Sequence, residues 1–246
     1  MSPRIIFLVP YRDRQEHQEI FAKHMKNVLT DLDDYKIIYI HQMDTRSFNR
    51  GAMKNIGFLY VKEQYPETYK EITLVFNDVD TMPKTKNTFD YDTIKGTIKH
   101  HYGFSFTLGG ILSIKAGDFE LINGFPNFWA WGYEDNALQA RAIKHKIKID
   151  RSNMLEPGSN AIIHLKDDIL KTVNKEEYQM YKEKSNEGYK NIVDLEYYYN
   201  DTNGFLNVKQ FNTGREENIK YSKKYNITKG NTPFRKRKPT INMVFS

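Results

Sequence analysis

Three short apolar runs, separated by helix-like segments, fill the first third of this 246-residue chain and leave it few architectures. Residues 4–9 are β-branched and apolar with little alternation, the pattern of a strand covered on both faces, and Pro10 turns the chain after it. Residues 15–32 have helical periodicity, with Ile20, Phe21, His24, Met25, Val28, Leu29 and Leu32 on one face. Residues 36–41 read as a second buried strand and residues 49–65 as a helix with Ile56, Leu59 and Tyr60 on its apolar side. Residues 72–76 read as a third strand. A βαβαβ order predicts an α/β fold with a mostly parallel sheet, and ligands of such sheets bind beyond the carboxyl ends of the strands. Val9-Pro10-Tyr11-Arg12 and Asp78-Val79-Asp80 both fall at that edge.

Further along, residues 101–106 and 111–114 read as strands around a Gly109-Gly110 turn, and residues 118–122 as a short helix. A helix is expected at 134–144, a strand at 161–164, and a charged loop plus helix at 166–184. Residues 195–199 and 204–209 look like a hairpin, and the chain past Gly214 is polar and rich in lysine and asparagine. The expected organisation is one domain over residues 1–214 and a basic extension over 215–246.

With 39% hydrophobic residues the chain can bury a core, and its lack of cysteine excludes disulfides, thiolate metal sites and thiol nucleophiles. No apolar run approaches the roughly 18–20 residues that span a bilayer. The run at 5–9 is too short for a signal sequence and is broken by Arg12, Asp13 and Arg14, so the expectation is a soluble, cytoplasmic protein. The net charge of +6 is densest at Arg235-Lys236-Arg237-Lys238. Such a cluster suits nucleic acid, whereas mild basicity of the whole chain equally suits an anionic diphosphate, which is the preferred reading.

On extended chain the two carboxylates of Asp78-Val79-Asp80 share a face. One can bind a divalent cation while the other reaches ligand hydroxyls; hard oxygen ligands suit Mg²⁺ or Mn²⁺, and an added histidine favours Mn²⁺. Arg12 and Arg14 present guanidinium forks near the same edge, suited to phosphate or uracil oxygens or else simply exposed. Phe48-Asn49-Arg50 opens a helix, whose N-terminus favours anions; Phe48 can stack on a base or fill the core. Trp129 and Trp131 lead into Glu134 and Asp135. They are either a core pair before an acidic helix start or a sugar platform beside a general base. His164, ending an apolar strand, is structural unless a metal site surrounds it.

The ordered set Val9-Pro10-Tyr11-Arg12-Asp13-Arg14, Phe48-Asn49-Arg50-Gly51, Asn55-Ile56-Gly57-Phe58, Asp78-Val79-Asp80, Gly109-Gly110, Asn123-Gly124-Phe125, Trp129-Ala130-Trp131-Gly132-Tyr133-Glu134-Asp135 and His164 resembles the β-1,4-galactosyltransferase family over residues 5–210. The resemblance implies a GT-A-type nucleotide-sugar-binding fold, Mn²⁺ dependence, a UDP-sugar donor, a glycan acceptor and inversion at the anomeric carbon. It implies that Arg12, Arg14, Phe48 and Arg50 hold the uridine diphosphate and that Asp80 and His164 bind the metal. Asp78 would contact donor ribose or sugar, and Gly110 and Trp131 would flank the transferred hexose, with Trp131 on a closing loop. Glu134 and Asp135, with Asn136 and Phe128, would hold the acceptor, Asp135 being the base. The segment after His164 would be a longer loop that folds over donor and metal.

Several positions depart from the family pattern. Ala130, Tyr133 and Asn136 interrupt the usual Trp-Gly-Trp-Gly-Gly-Glu-Asp-Asp, and Asn136 replaces an acceptor-binding aspartate, so GlcNAc is not a given acceptor. Thr107 stands where a tyrosine crowds the donor's C2 substituent, which would open the site to UDP-GalNAc. Ala161 falls near the place of a methionine metal ligand. The expected activity is galactosyl transfer, with transfer from another UDP-sugar, or a non-catalytic sugar or nucleotide binder, as the alternatives.

Overall fold

A computed structural model describes residues 2–166, 170–184 and 186–227. The Arg235–Lys238 cluster lies outside the described residues, as does part of the loop expected after His164. The strand expected first is β1 (Ile5–Tyr11), buried along its whole length. It is followed by α1 (Gln15–Val28), β2 (Tyr35–Gln42), α2 (Arg50–Gln64) and β3 (Thr73–Asn77). β1 lies between β2 and β3 and pairs with both in parallel, Ile5 opposite Tyr35 on one side and Thr73 on the other. Because side chains alternate across a strand, β1 feeds two cores. Ile6 and Leu8 join Ile38, Ile40, Ile56 and Phe58 beneath α2, while Ile5, Phe7 and Val9 join Phe21 and Met25 of α1. Ile20, expected on the buried face of α1, is exposed, because the contact stripe is narrower than the periodicity suggests.

The chain continues through β4 (Thr81–Pro83), β5 (Thr97–Tyr102), β6 (Ile111–Lys115), α3 (Ala116–Leu121), α4 (Glu134–Lys144), β7 (Lys148–Asp150) and β8 (Ile162–His164). β9 (Leu170–Asn174), α5 (Lys175–Lys184), β10 (Val193–Asn200), β11 (Phe205–Asn212) and β12 (Ser222–Asn226) complete it. The main sheet has eight strands in the order β10-β11-β2-β1-β3-β6-β5-β7. β1 with β2 and β3, β11 with β2, and β5 with β7 run parallel, and the other pairs antiparallel. This is the expected α/β architecture with a mixed, mostly parallel sheet.

Three local expectations differ. The strand expected at 101–106 ends at Tyr102. Gly103 takes φ 144° there and the chain leaves the sheet, so Phe104 and Phe106 are exposed. The C-terminal hairpin does not stand alone, since Phe205 and Leu206 of β11 pair with Tyr39 and Ile40 of β2 and extend the main sheet. The polar stretch past Gly214 includes β12, antiparallel to β9, and Trp129 Nε1 donates to the Arg215 carbonyl at 3.1 Å. No helix among the described residues is long and apolar enough to cross a membrane.

Candidate active site

β3 delivers Asp78 and Asp80 to the carboxyl edge of the sheet. Asn77, fully buried at the strand end, donates from Nδ2 to the Asp78 and Thr81 carbonyls at 2.8 Å each, fixing the turn that carries both carboxylates. β4 then pairs with β8, Thr81 opposite His164, and Leu165 N donates to the Asp80 carbonyl at 2.7 Å. Asp80 and His164 are thereby brought to either side of Thr81. Thr81 Oγ1 stands between them, 3.0 Å from Asp80 Oδ1 and 3.1 Å from His164 Nδ1. A hydroxyl has one proton; donated to Asp80, it leaves Thr81 to accept from His164 Nδ1–H, and Nε2 keeps its lone pair for a cation. Arg14 Nη1 lies 3.6 Å from Asp80 Oδ2.

No group of three or more histidine, aspartate or glutamate side chains able to hold a metal occurs among the described residues. Asp80 and His164, joined through Thr81, are the residues that would hold a cation here, offering an oxygen and an imidazole nitrogen. That set fits Mn²⁺ where a ligand's diphosphate oxygens and water complete the shell.

The second half of the site comes from α4. Gly132 (φ 91°) and Tyr133 (φ 91°) turn the chain into the helix, whose first turn holds Glu134 and Asp135. Carboxylates are favoured there by the helix dipole. β6 runs antiparallel to β3 with Ile111 opposite Asn77, so the Gly109-Gly110 turn sits beside the Asp78 end of β3. Gly110 has φ 82°, and a Cβ on it would lie 2.3 Å from the Tyr102 carbonyl oxygen. A Cβ on Gly109 would lie 2.6 Å from Asp135 Oδ2. His100 holds this turn: Arg151 Nε donates to its Nδ1 at 3.1 Å, which makes Nε2–H the donor to the Gly109 carbonyl at 2.8 Å.

Lys54, one turn beyond Arg50 on α2, reaches into the acidic pair. Nothing in the sequence singled it out, because a lysine within a helix usually faces water. It is 4% exposed, with Nζ 3.2 Å from Asp135 Oδ1 and 4.5 Å from the centre of the Phe125 ring. Burial pulls its pKa down, but Asp135, Asp78 and Glu134 outweigh that and raise it, so it is a cation. Burial raises the Asp135 carboxyl against the pull of Lys54, and Asp78 adds to the rise. Glu134 is pushed up to about 7, first by burial and then by Asp135. Its Oε2 is buried with no hydrogen-bond partner among the described residues.

The other expected residues divide. Trp131 is half-exposed, with its backbone N–H on the Thr172 carbonyl at 2.7 Å, whereas Trp129 is 1% exposed. Arg12 donates to the Arg46 carbonyl and lies 3.5 Å from Asp13. Phe48 is half-buried, with the Arg50 guanidinium 5.0 Å from its ring centre. Asn136 Nδ2 and Gln139 Nε2 donate to the Phe106 carbonyl at 3.4 and 3.2 Å. Phe128, expected on the acceptor side, is instead buried edge-on against Tyr181, ring centres 5.3 Å apart, because the turn before α4 directs it into the interior. A cavity of about 670 Å³ lined by Lys62, Lys70, Lys115, Glu120 and Tyr189 lies elsewhere and includes none of these residues.

The sheet order, with a carboxylate pair at the end of a central strand and an acidic helix start facing it, defines a GT-A-type α/β domain. The chain belongs to the group 7 glycosyltransferase family, the galactosyltransferases: residues 2–91 match the family described as "N-terminal region of glycosyl transferase group 7" and residues 92–166 the one described as "N-terminal domain of galactosyltransferase". It is 32% identical over 177 residues to beta-1,4-galactosyltransferase 4 of Cricetulus griseus, covering 67% of this chain and 49% of the relative. It is 31% identical over 174 residues to xylosylprotein 4-beta-galactosyltransferase of Caenorhabditis elegans, covering 66% and 58%. The chain thus spans about half the length of the curated relatives it matches. The catalytic domain of Drosophila β1,4-galactosyltransferase 7 in complex with xylobiose has the same fold, at TM-score 0.65 and 23% identity, over 83% of this chain and 92% of that one. A mutant of that protein is known in complex with manganese, UDP-Gal and xylobiose, at TM-score 0.64 and 22% identity over the same shares of both chains.

Proposed function

We propose that this chain is an inverting, Mn²⁺-dependent glycosyltransferase that moves galactose from UDP-galactose to a hydroxyl of a glycan acceptor. The observation that carries the proposal is Asp135: a half-buried carboxylate against the Gly109 turn, near enough to Asp78 to feel its charge. Asp80 and His164 hold the cation, which when bound supplies positive charge to the leaving diphosphate. Arg14, now 3.6 Å from Asp80, and Arg12 and Arg50 line the uridine diphosphate, with Phe48 at the base. Asp78 contacts donor hydroxyls, and Gly110 and Trp131 border the hexose.

Asp135 takes the acceptor hydroxyl's proton as that oxygen attacks the anomeric carbon. The new C–O bond forms as the bond to the diphosphate breaks, and the electron pair leaves with UDP. One displacement inverts the configuration. Glu134 and Asn136 hold the acceptor. Phe104 and Phe106, stacked 5.2 Å apart and 54% and 65% exposed, offer it a flat apolar face where Phe128 does not.

UDP-GalNAc is a second donor reading, favoured by Thr107: the residue is small, and its buried Oγ1 has no partner among the described residues. UDP release from a panel of UDP-sugars, with Mn²⁺ and with EDTA, tests the proposal in wild type and Asp135→Asn. Mn²⁺-dependent release lost in the variant supports it and names the donor. UDP binding without release from any donor, with acceptors supplied, would point to a binding protein.

A further inference from the structure

An ammonium group removed from water is stable only beside compensating charge, so a buried lysine marks the group it serves. Lys54 contacts Oδ1 of Asp135, while Oδ2 of the same carboxylate lies against Gly109. A carboxylate turns freely about its last torsion until one oxygen is held by a charge-assisted bond; the other then has a fixed place.

We propose that Lys54 is the positioning residue of the base: it anchors Oδ1 of Asp135 so that Oδ2, beside the Gly109 turn, is the oxygen that receives the acceptor's proton. This rests on the reading of Asp135 as the base. Four charged groups act on Asp135: Lys54 and Arg50 from α2, Asp78 from the turn after β3, and Glu134 from its own helix. Both other carboxylates oppose its ionisation. Lys54 is the cation in contact with it, and Oε2 of Glu134, without a hydrogen-bond partner among the described residues, does not compete for that contact. Lys54 keeps its proton throughout: the hydroxyl proton passes to Oδ2 and leaves to solvent after UDP departs.

The test compares wild type with Lys54→Met, close in length but uncharged, and with Lys54→Arg. Transfer rates across the neutral pH range are measured with Mn²⁺ and UDP-galactose, and the Asp135 carboxyl is titrated by ¹³C NMR, which needs no turnover. Lys54→Met is expected to lower kcat about ten- to a hundredfold with donor KM unchanged. It should also move the acidic limb of the profile and the Asp135 titration to higher pH, and Lys54→Arg should restore both. If Lys54→Met does not fold, Lys54→Gln takes its place in the comparison. An unmoved limb and titration, with only the melting temperature lowered, would reduce Lys54 to a packing residue. Wild-type turnover insensitive to Asp135→Asn would instead overturn the assignment of the base itself.

Discussion

The indole of Trp129 stacks on the ring of Phe211, centroids 5.6 Å apart and planes 15° apart, tying the turn before α4 to β11 near the other end of the chain. The Arg46 guanidinium lies 4.6 Å from the indole and 4.3 Å from the phenyl ring. Trp131, two residues on, is only half-buried and is proposed to border the hexose. The two tryptophans should therefore separate stability from function. Trp129→Ala is expected to cost about 3–5 kcal/mol, as for other buried aromatics. Trp131→Ala should cost clearly less stability than Trp129→Ala and weaken UDP-sugar binding. Urea unfolding and donor titration of both variants check this; equal losses of stability would overturn the division.

The same pair illustrates what the sequence could and could not disclose. Five consecutive apolar residues in β1 are legible because burial on both faces of a sheet leaves no polar alternation. Asp78, Asp80, Glu134 and Asp135 are legible because their chemistry is concentrated in short motifs. Which tryptophan lies inside is not, since both follow the same turn and only β11 decides. Lys54 escaped for a related reason: its partner is 81 residues away, and helical position alone predicts solvent. β12 escaped because Ser-Lys-Lys-Tyr-Asn has no apolar pattern; its pairing with β9 is a matter of backbone hydrogen bonds.

Glu134 gives the fold a pH dependence with a definite sign. Its carboxyl is raised from 4.5 to about 7, so in that interval the folded protein holds a proton that the unfolded chain releases. The stability this contributes is fully present below the lower value and is lost as pH rises through the upper one. Glu134→Gln removes the titration, so the variant should gain on wild type from the acidic to the alkaline side, by on the order of 1–3 kcal/mol. Glu177, also raised to about 7 by burial, is common to both proteins and cancels in the difference. Urea midpoints on either side of the interval measure it; a difference independent of pH would contradict the assigned cause.

Metal affinity should depend on Thr81 as well as on its neighbours. Asp80→Asn removes the proposed charged ligand and should abolish Mn²⁺ binding measured by electron paramagnetic resonance. Thr81→Val keeps the shape but removes the hydroxyl between Asp80 and His164, releasing the imidazole tautomer. Loss of such an orienting group costs about 10–100-fold in affinity. Wild-type affinity in Thr81→Val would mean that the hydroxyl does not orient His164.

Gly109 is where the backbone makes room for Asp135, the proposed base. A methyl group there would stand 2.6 Å from Asp135 Oδ2 and 3.3 Å from Cγ, closer than contact allows, so the carboxylate must turn away and its bond to Lys54 must stretch. Gly109→Ala is therefore expected to lower kcat by about a hundredfold, the scale of a displaced catalytic group, while Mn²⁺ and UDP binding persist. If the effect passes through Asp135, Gly109→Ala should cost almost nothing more in an Asp135→Asn background, because groups acting as a unit are not additive. A double-mutant cycle on kcat decides it. Full additivity would show that the turn acts on the donor side, through Gly110 and the hexose, rather than on the base.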